Sequence, residues 1–202
     1  MTKILVTGAT GNVGRELTRQ LPPGGFRSLS RQSWTILRAN TIASNARGWA
    51  TQIRSTGVVR GPGIPATAVV HERDIAAVAT RALTSADLAG QRLVLTGPTV
   101  VSRAEQVAAL GTVLGRELRF EPVAAGDART RMLADGRPAA LVEALLANVG
   151  RPPSTLITAT IEEVTGQPAR SFGDWAAEHG DEFRQSPEPR CGPSVAGCTK
   201  GG

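Results

Sequence analysis

Three glycines spaced three residues apart, Gly8, Gly11 and Gly14, separate an apolar run from a helix-like segment near the start of the chain. The run 3–7 is β-branched and apolar, which favours a strand, and 12–21 has apolar side chains at helical spacing. A strand, a glycine turn and a helix in this order make a βα unit. The glycine pattern therefore indicates an α/β arrangement.

Each glycine of this turn has its own steric task. Gly8 permits a tight turn, Gly11 lets the backbone approach a ligand, and Gly14 allows the helix to pack closely on the strand. The helix N-terminus offers free N–H groups and partial positive charge to a phosphate. The alternative is an ordinary glycine-containing βα turn. The pattern predicts a dinucleotide pyrophosphate site made by Gly8, Ala9, Thr10, Gly11, Asn12, Val13 and Gly14, with side-chain hydrogen bonds from Thr10 and Asn12.

Strand-like and helix-like segments alternate along the rest of the chain. Strands are expected at 26–30, 34–37, 67–70, 92–96 and 118–123, and helices at 40–53, 74–83, 103–114, two or three within 126–165, and 172–183. Ser102 and Glu105 fit a capping box, and Gly115 suits the C-terminal cap of the same helix. The glycine- and proline-rich range 57–65 is expected to be a loop. This order predicts the α/β class.

Composition narrows the class of protein further. The net charge of +6 comes mainly from arginines scattered singly, which does not favour nucleic-acid binding. The chain has no run of about eighteen apolar residues and its start lacks the zones of a signal peptide, so we expect a cytoplasmic protein without a membrane partner. Cys191 and Cys198 have neither zinc nor redox spacing, so no metal site is expected.

Several segments, in their order, resemble the NmrA-like, atypical short-chain dehydrogenase/reductase proteins. The resemblance is carried by GATGNVG at 8–14, FRSLSR at 26–31, SWTILRAN at 33–40, VHERDIAAVATRAL at 70–83, GQRLVLTGP at 90–98 and VTGQPARSFGDWAAEHGDEF at 164–183. The family includes NAD(P)H-dependent quinone reductases and NADP-sensing regulators. The resemblance implies a Rossmann-type doubly wound parallel sheet with a smaller C-terminal α/β substrate region.

The same resemblance assigns a role to Arg31. An arginine at this place in the family's second strand faces the adenosine 2′-phosphate, and this chain has no acidic residue there that would prefer NAD. We therefore expect NADP, bound as NADPH, to be preferred to NAD. The expected partners are the dinucleotide and a small-molecule substrate.

The chain departs from the family directly after Arg31, where a long stretch of the first Rossmann half is missing. A βαβ unit takes about 30 residues, so the loss of roughly three strands with their helices removes about 90. Three residues between 26–30 and 34–37 are too few for a parallel crossover. We therefore expect an internal deletion, a truncated sheet with exposed edges, low stability, self-association and weakened cofactor binding.

The expected organisation is one NAD(P)-binding domain over residues 1–184. Within it, 1–31 form the pyrophosphate-binding part, and 33–184 hold the later strands and the substrate region. The range 185–202, rich in glycine, proline and serine, is expected to be a disordered tail.

Two histidines lie near acidic residues. His71, next to Glu72 and close to Asp74, is compatible with an acid–base or metal cluster, but a strand-to-helix turn with a carboxylate at the helix start is favoured. His179 is expected to be a solvated residue of the last helix. No catalytic residue is assigned to either group.

Aromatic residues give one further alternative and one exclusion. Trp34, Trp49 and Trp175 suit core packing, with the lining of a ligand pocket as the alternative for Trp49. The chain contains no tyrosine, so it lacks the Tyr-Lys pair that serves as the general base of related dehydrogenases and epimerases. Glu162 and Glu163 are expected to form an exposed helix edge.

Three functions remain open at this point. The first is an NADPH-dependent reductase of a quinone-like or other small acceptor. The second is a non-catalytic NADP-sensing regulator that binds a protein partner. The third is a deletion product with impaired cofactor binding.

Overall fold

A computed structural model describes residues 11–21 and 34–184. Within them, β1 (Ile36–Ala39) pairs in parallel with β4 (Arg92–Leu95), and β2 (Val58–Pro62) pairs in parallel with β6 (Arg119–Val123). A short antiparallel pair joins β3 (Thr67–Ala68) to β5 (Val100–Val101). Parallel pairs whose strands are far apart in the chain require helical crossovers, so the described part is of the α/β class.

Eight α-helices and two 3₁₀ helices connect and cover these strands in the described ranges. The α-helices are α1 (Asn12–Gln20), α2 (Ala50–Thr56), α3 (Glu72–Thr84), α4 (Arg103–Leu114), α5 (Ala125–Ala134), α6 (Ala139–Leu146), α7 (Thr160–Thr165) and α8 (Phe172–His179). The first 3₁₀ helix covers Ala43–Trp49, and the second covers Gly180–Phe183. The two or three helices expected within 126–165 are thus three.

Two apolar clusters form the core. The larger one lies between α4, α8 and the first 3₁₀ helix and is centred on the fully buried Trp175. The smaller one joins α3 and β4, with Val13 of α1 packed against it. Packing of α1 along α3 is completed by polar contacts, since Gln20 donates to the Arg73 carbonyl at 3.2 Å. The start of α1 is therefore fixed relative to β1 and β4.

The capping signals predict α4 correctly. The Ser102 hydroxyl accepts from the Glu105 backbone N–H, and the Glu105 carboxylate accepts from the Ser102 N–H. Gly115 ends the helix with a φ of 67°, a left-handed conformation that glycine adopts without a steric penalty. The helix expected at 74–83 corresponds to α3. The helix expected at 172–183 corresponds to α8 and the 3₁₀ helix that follows it.

The expectation of a loop over 57–65 is wrong. The chain forms β2 at Val58–Pro62, paired residue by residue with β6, and Gly57 makes the turn from α2 with a φ of 71°. Val59 is fully buried in the strand. The helix expected at 40–53 is also only partly correct, because the chain forms a 3₁₀ helix before α2 begins at Ala50.

Several predictions fall on residues that the structure does not describe. These are the strands 3–7 and 26–30, the junction after Arg31 and the range 185–202. The internal deletion, the domain limits and the disordered tail remain predictions.

Candidate functional site

The N-terminus of α1 has no side-chain cap among the described residues. Gly11 caps the helix in an extended conformation and has no side chain with which to accept a hydrogen bond. The first turn also contains no acidic residue. Its N–H groups and the positive end of its dipole are thus available to a phosphate.

Asn12 connects this helix start to the segment that follows β1. Its Nδ2 donates to the Ser44 hydroxyl at 3.0 Å, and its Oδ1 accepts from the Arg15 guanidinium at 2.9 Å. Ser44 is buried, with 5% of its surface exposed. An amide nitrogen carries two hydrogens, and only one of them has a partner within residues 11–21 and 34–184. Ser44 could not be predicted from local sequence, because its hydrogen bond with Asn12 spans 32 positions.

The remaining residues of the predicted pyrophosphate site divide into two groups. Gly11, Asn12, Val13 and Gly14 form the start of α1, and Val13 packs against the smaller apolar cluster, as Leu37 of β1 does. Gly8, Ala9 and Thr10 lie outside the described ranges, and so does Arg31, the residue expected to contact the 2′-phosphate. Ser44 follows the carboxyl end of β1, where α/β sheets bind their ligands.

A buried polar cluster, here called the Glu72 cluster, lies beside the start of α3. Glu72 is 2% exposed, and its Oε1 accepts from Trp175 Nε1 and from Arg47 Nη1, both at 3.1 Å. Arg47 also pairs with Glu182, with Nε 2.8 Å from Oε2. His179 completes the cluster, with Nδ1 2.8 Å from Glu182 Oε1. These contacts join the first 3₁₀ helix, α3 and α8.

His71 caps the N-terminus of α3 through its ring. Nδ1 accepts from the Arg73 backbone N–H at 3.1 Å, so the neutral ring carries its hydrogen on Nε2. Nε2 lies 3.3 Å from Glu178 Oε2 but makes no hydrogen bond. Burial lowers the pKa of His71 and outweighs the nearby carboxylates, of which Glu72 is the strongest. The predicted strand-to-helix turn is confirmed.

Asp74 anchors the C-terminal segment to α3. Its Oδ2 accepts from the Arg170 backbone N–H at 2.8 Å, and its Oδ1 contacts the Arg170 guanidinium. The carboxylate is buried, and it also lies in the first turn of α3, as the sequence predicts. Its observed partners make it a structural residue. No set of three or more metal-ligating side chains occurs within residues 11–21 and 34–184.

Two expectations about single side chains are wrong. His179 is not a solvated surface residue, because its side chain is only 20% exposed and its ring lies 4.8 Å from the ring of Trp175. Trp34 is 50% exposed and therefore not a core residue. Trp175 is fully buried as expected, and Trp49 is partly buried against the larger apolar cluster. Glu162 and Glu163 are exposed, as predicted.

Sequence relatives were found among curated bacterial reductases, although no family model matches the chain. The chain is 42% identical over 154 residues to the (4-alkanoyl-5-oxo-2,5-dihydrofuran-3-yl)methyl phosphate reductase of Streptomyces griseus, covering 74% of this chain and 54% of that protein. It is 34% identical over 158 residues to the NAD(P)H azoreductase of Xenophilus azovorans, covering 76% and 55%. The chain thus spans about half the length of these relatives.

Solved structures show the same fold. The Citrobacter sp. triphenylmethane reductase, complexed with NADP(H), aligns with a TM-score of 0.60 at 15% identity, over 73% of this chain and 53% of its own. An NADPH-dependent quinone oxidoreductase from Escherichia coli, complexed with NADPH, aligns with a TM-score of 0.60 at 21% identity, over 73% and 54%. These likenesses confirm the predicted α/β, Rossmann-type fold.

The described strands and helices, together with these likenesses, define a protein with a Rossmann-type α/β fold. The sequence similarity to these reductases, over about half of their length, supports the resemblance to the NmrA-like, atypical short-chain dehydrogenase/reductases. In the described ranges, no helix combines the length and the apolar character needed to cross a membrane.

Proposed function

We propose that the chain binds NADPH through the start of α1 and transfers a hydride from it to a small organic acceptor. The observation that carries this proposal is the uncapped N-terminus at Gly11, held beside the carboxyl end of β1 by the Asn12–Ser44 hydrogen bond. An anion there would accept hydrogen bonds from N–H groups of α1 that no described side chain caps. The glycine at the cap leaves the space that a pyrophosphate needs.

The family relationship supports the reductase reaction and the kind of acceptor. The relatives are named for an azo compound and for a phosphorylated dihydrofuranone, and a fold neighbour is named for a quinone. These acceptors share a conjugated, electron-poor group that accepts hydride. We propose the same class, quinone-like or another small conjugated acceptor, for this chain.

In this proposal, the residues of the chain bind and orient the cofactor and the acceptor. The cofactor supplies the hydride when bound. The N–H groups at the start of α1 hold the pyrophosphate, and Ser44 fixes the Asn12 side chain beside it. Because the chain has no tyrosine to act as the proton donor, the proton that the acceptor needs after hydride transfer comes from water.

Cofactor preference tests the proposal. The expected contact of Arg31 with the 2′-phosphate is a charge-assisted hydrogen bond, worth about 1.5–3 kcal/mol. Arg31→Ala should therefore weaken NADPH binding roughly ten- to a hundredfold and NADH binding little, as measured by nucleotide fluorescence. Arg19→Ala is the matched control, because Arg19 lies in the last turn of α1 and pairs with Glu16.

Three outcomes are decisive. Equal losses for NADPH and NADH would refute the role of Arg31, and absence of NADPH binding by the wild-type chain would refute the proposed function. Binding without consumption of NADPH, across a panel of quinones and azo compounds, would identify a cofactor-binding regulator instead.

A further inference from the structure

Two arginines converge at the C-terminal end of the first 3₁₀ helix. The Arg103 guanidinium lies over the Trp49 ring, with Cζ 5.8 Å from the ring centroid. Its Nη1 is 3.1 Å from the position that a Cβ would occupy at Gly61. The missing side chain at Gly61 thus lets Arg103 lie between β2 and the tryptophan.

Arg137 reaches the same place from the connection between α5 and α6. Its Nη2 is 3.4 Å from the position that a Cβ would occupy at Gly48, the residue before Trp49. The positive charge of Arg137 acts on Arg103 strongly enough to contribute to the lowered pKa of Arg103. The two guanidinium groups therefore share one site beside Gly48 and Trp49.

Neither arginine has a carboxylate partner within residues 11–21 and 34–184. The pKa of Arg103 is lowered first by burial and second by Arg137, with no carboxylate acting in the opposite direction. Glu105, two residues further along α4, is used by the capping box with Ser102. Nine other arginines of the described chain do pair with carboxylates: Arg19, Arg47, Arg60, Arg73, Arg81, Arg119, Arg129, Arg170 and Arg184.

The position of Arg103 makes this arrangement costly for the free protein. Arg103 is the first residue of α4, where the helix dipole disfavours a cation. It is also partly withdrawn from water and faces a like charge. An anion between Arg103 and Arg137 would offset the like-charge repulsion and the unfavourable interaction with the helix dipole.

We propose that Arg103 and Arg137 form a binding site for a phosphomonoester, with Trp49 and Gly61 holding Arg103 in place. Two guanidinium groups present donors in pairs that match phosphate oxygens, and their two charges match the nearly double charge of a phosphomonoester. This site gives the proposed reductase a substrate class, a phosphorylated small acceptor, and that assignment rests on the proposed function.

The first 3₁₀ helix links this site to the proposed cofactor site. Ser44 at its start contacts Asn12, and Trp49 at its end contacts Arg103. At about 2 Å per residue, the two contacts are on the order of 10 Å apart along the helix. A substrate held by its phosphate beside Trp49 can therefore extend its unphosphorylated end toward the cofactor.

Calorimetric titration with phenyl phosphate tests the site directly. Arg103→Met keeps an apolar stem against Trp49, and Arg137→Ala removes the second charge. Each substitution should weaken phenyl phosphate binding by about tenfold or more, since each removes a charge-assisted contact. Arg119→Ala is the control with the same charge change, because Arg119 is exposed and pairs with Glu117. Unchanged binding in Arg137→Ala would overturn the proposal even if Arg103→Met does not fold.

Thermal melting provides a second reading that a merely structural pair would not give. Without phosphate and at low salt, Arg137→Ala should melt at the wild-type temperature or above it, because a repulsion is removed. Phenyl phosphate should raise the melting temperature of the wild type but not of the variant. A variant that melts lower and still responds to phenyl phosphate would contradict the proposal.

Further titrations distinguish an organic phosphomonoester from inorganic phosphate, and this site from the cofactor site. Tighter binding of phenyl phosphate than of inorganic phosphate supports an organic phosphomonoester, whereas equal binding overturns the substrate assignment. Undiminished binding in saturating NADP⁺ supports a site separate from the cofactor, and competition overturns it. If phenyl phosphate binds while NADPH does not, the anion site stands and the reductase proposal alone fails.

Discussion

Removal of Arg47 should expose how strongly the Glu72 cluster depends on charge pairing. Arg47 Nη1 lies 3.1 Å from Glu72 Oε1, and the Glu72 side chain is 3% exposed. Glu72 Oε2 has no hydrogen-bond partner. In Arg47→Met, which keeps part of the apolar stem, Trp175 Nε1 is the one observed donor left to this buried carboxylate within the described chain.

The expected loss is about 3 kcal/mol of unfolding free energy. Breaking a buried ion pair by removing one partner costs about 3–5 kcal/mol, and the lower end applies because the Arg47 side chain is 27% exposed. The Arg47 pair with Glu182, whose side chain is 42% exposed, adds about 1 kcal/mol at most. The ion pair with Glu72 therefore supplies most of the effect.

Urea unfolding of four proteins measures this: wild type, Arg47→Met, Glu72→Gln and the double variant. A lower urea midpoint at an unchanged m-value would report a loss of stability. In the Glu72→Gln background no buried charge is left unpaired, so Arg47→Met should cost about 1 kcal/mol there. The reasoning is refuted if the cost is the same in both backgrounds.

Three further predictions concern His71, Ser44 and Gly97. The lowered pKa of His71 means that the unfolded chain binds its proton more readily, so stability present above about pH 6.5 is lost as the pH falls toward the folded pKa. His71→Asn keeps an acceptor for the helix N-terminus, and between pH 7.5 and 5.5 it should lose less unfolding free energy than the wild type, as measured by urea unfolding. An identical dependence of stability on pH in the two proteins would argue against this. Ser44→Ala should weaken NADPH and NADH binding by the same factor, and it should have no further effect in an Asn12→Ala background; additive effects in fluorescence titrations would disprove this coupling. Gly97→Ala should cost about 3 kcal/mol or more, because its Cβ would collide with the Val69 carbonyl oxygen; a melting temperature close to that of the wild type would contradict this.

Local signals allowed much of the fold to be predicted. The capping box at Ser102, Gly115 at the end of α4 and the apolar face of α3 depend on neighbours within one or two turns. β2 was missed because Gly61 and Pro62 hide its strand pattern, and its pairing with β6 joins residues 61 positions apart, such as Val58 and Arg119. Long-range pairing of this kind leaves little trace in a local pattern.

The candidate site shows the same division. The glycine pattern is a local signal, and it correctly predicts the start of α1 at Asn12. The partners of Asn12, Glu72 and Asp74 lie 32, 103 and 96 positions away at Ser44, Trp175 and Arg170. His179 was wrongly expected to be solvated. Trp175 covers it from the same helix, and Arg47 approaches it from a distant segment of the chain.

The tight winding of Ala43–Trp49 makes the length of this segment more critical than its composition. With three residues per turn, Ser44 and Arg47 lie on the same face, from which one reaches Asn12 and the other Glu72. One residue inserted between them would turn Arg47 by about 120° away from its carboxylate, while a substitution at the exposed Asn45 would leave the alignment intact. Natural variation here should therefore preserve the three-residue spacing between Ser44 and Arg47.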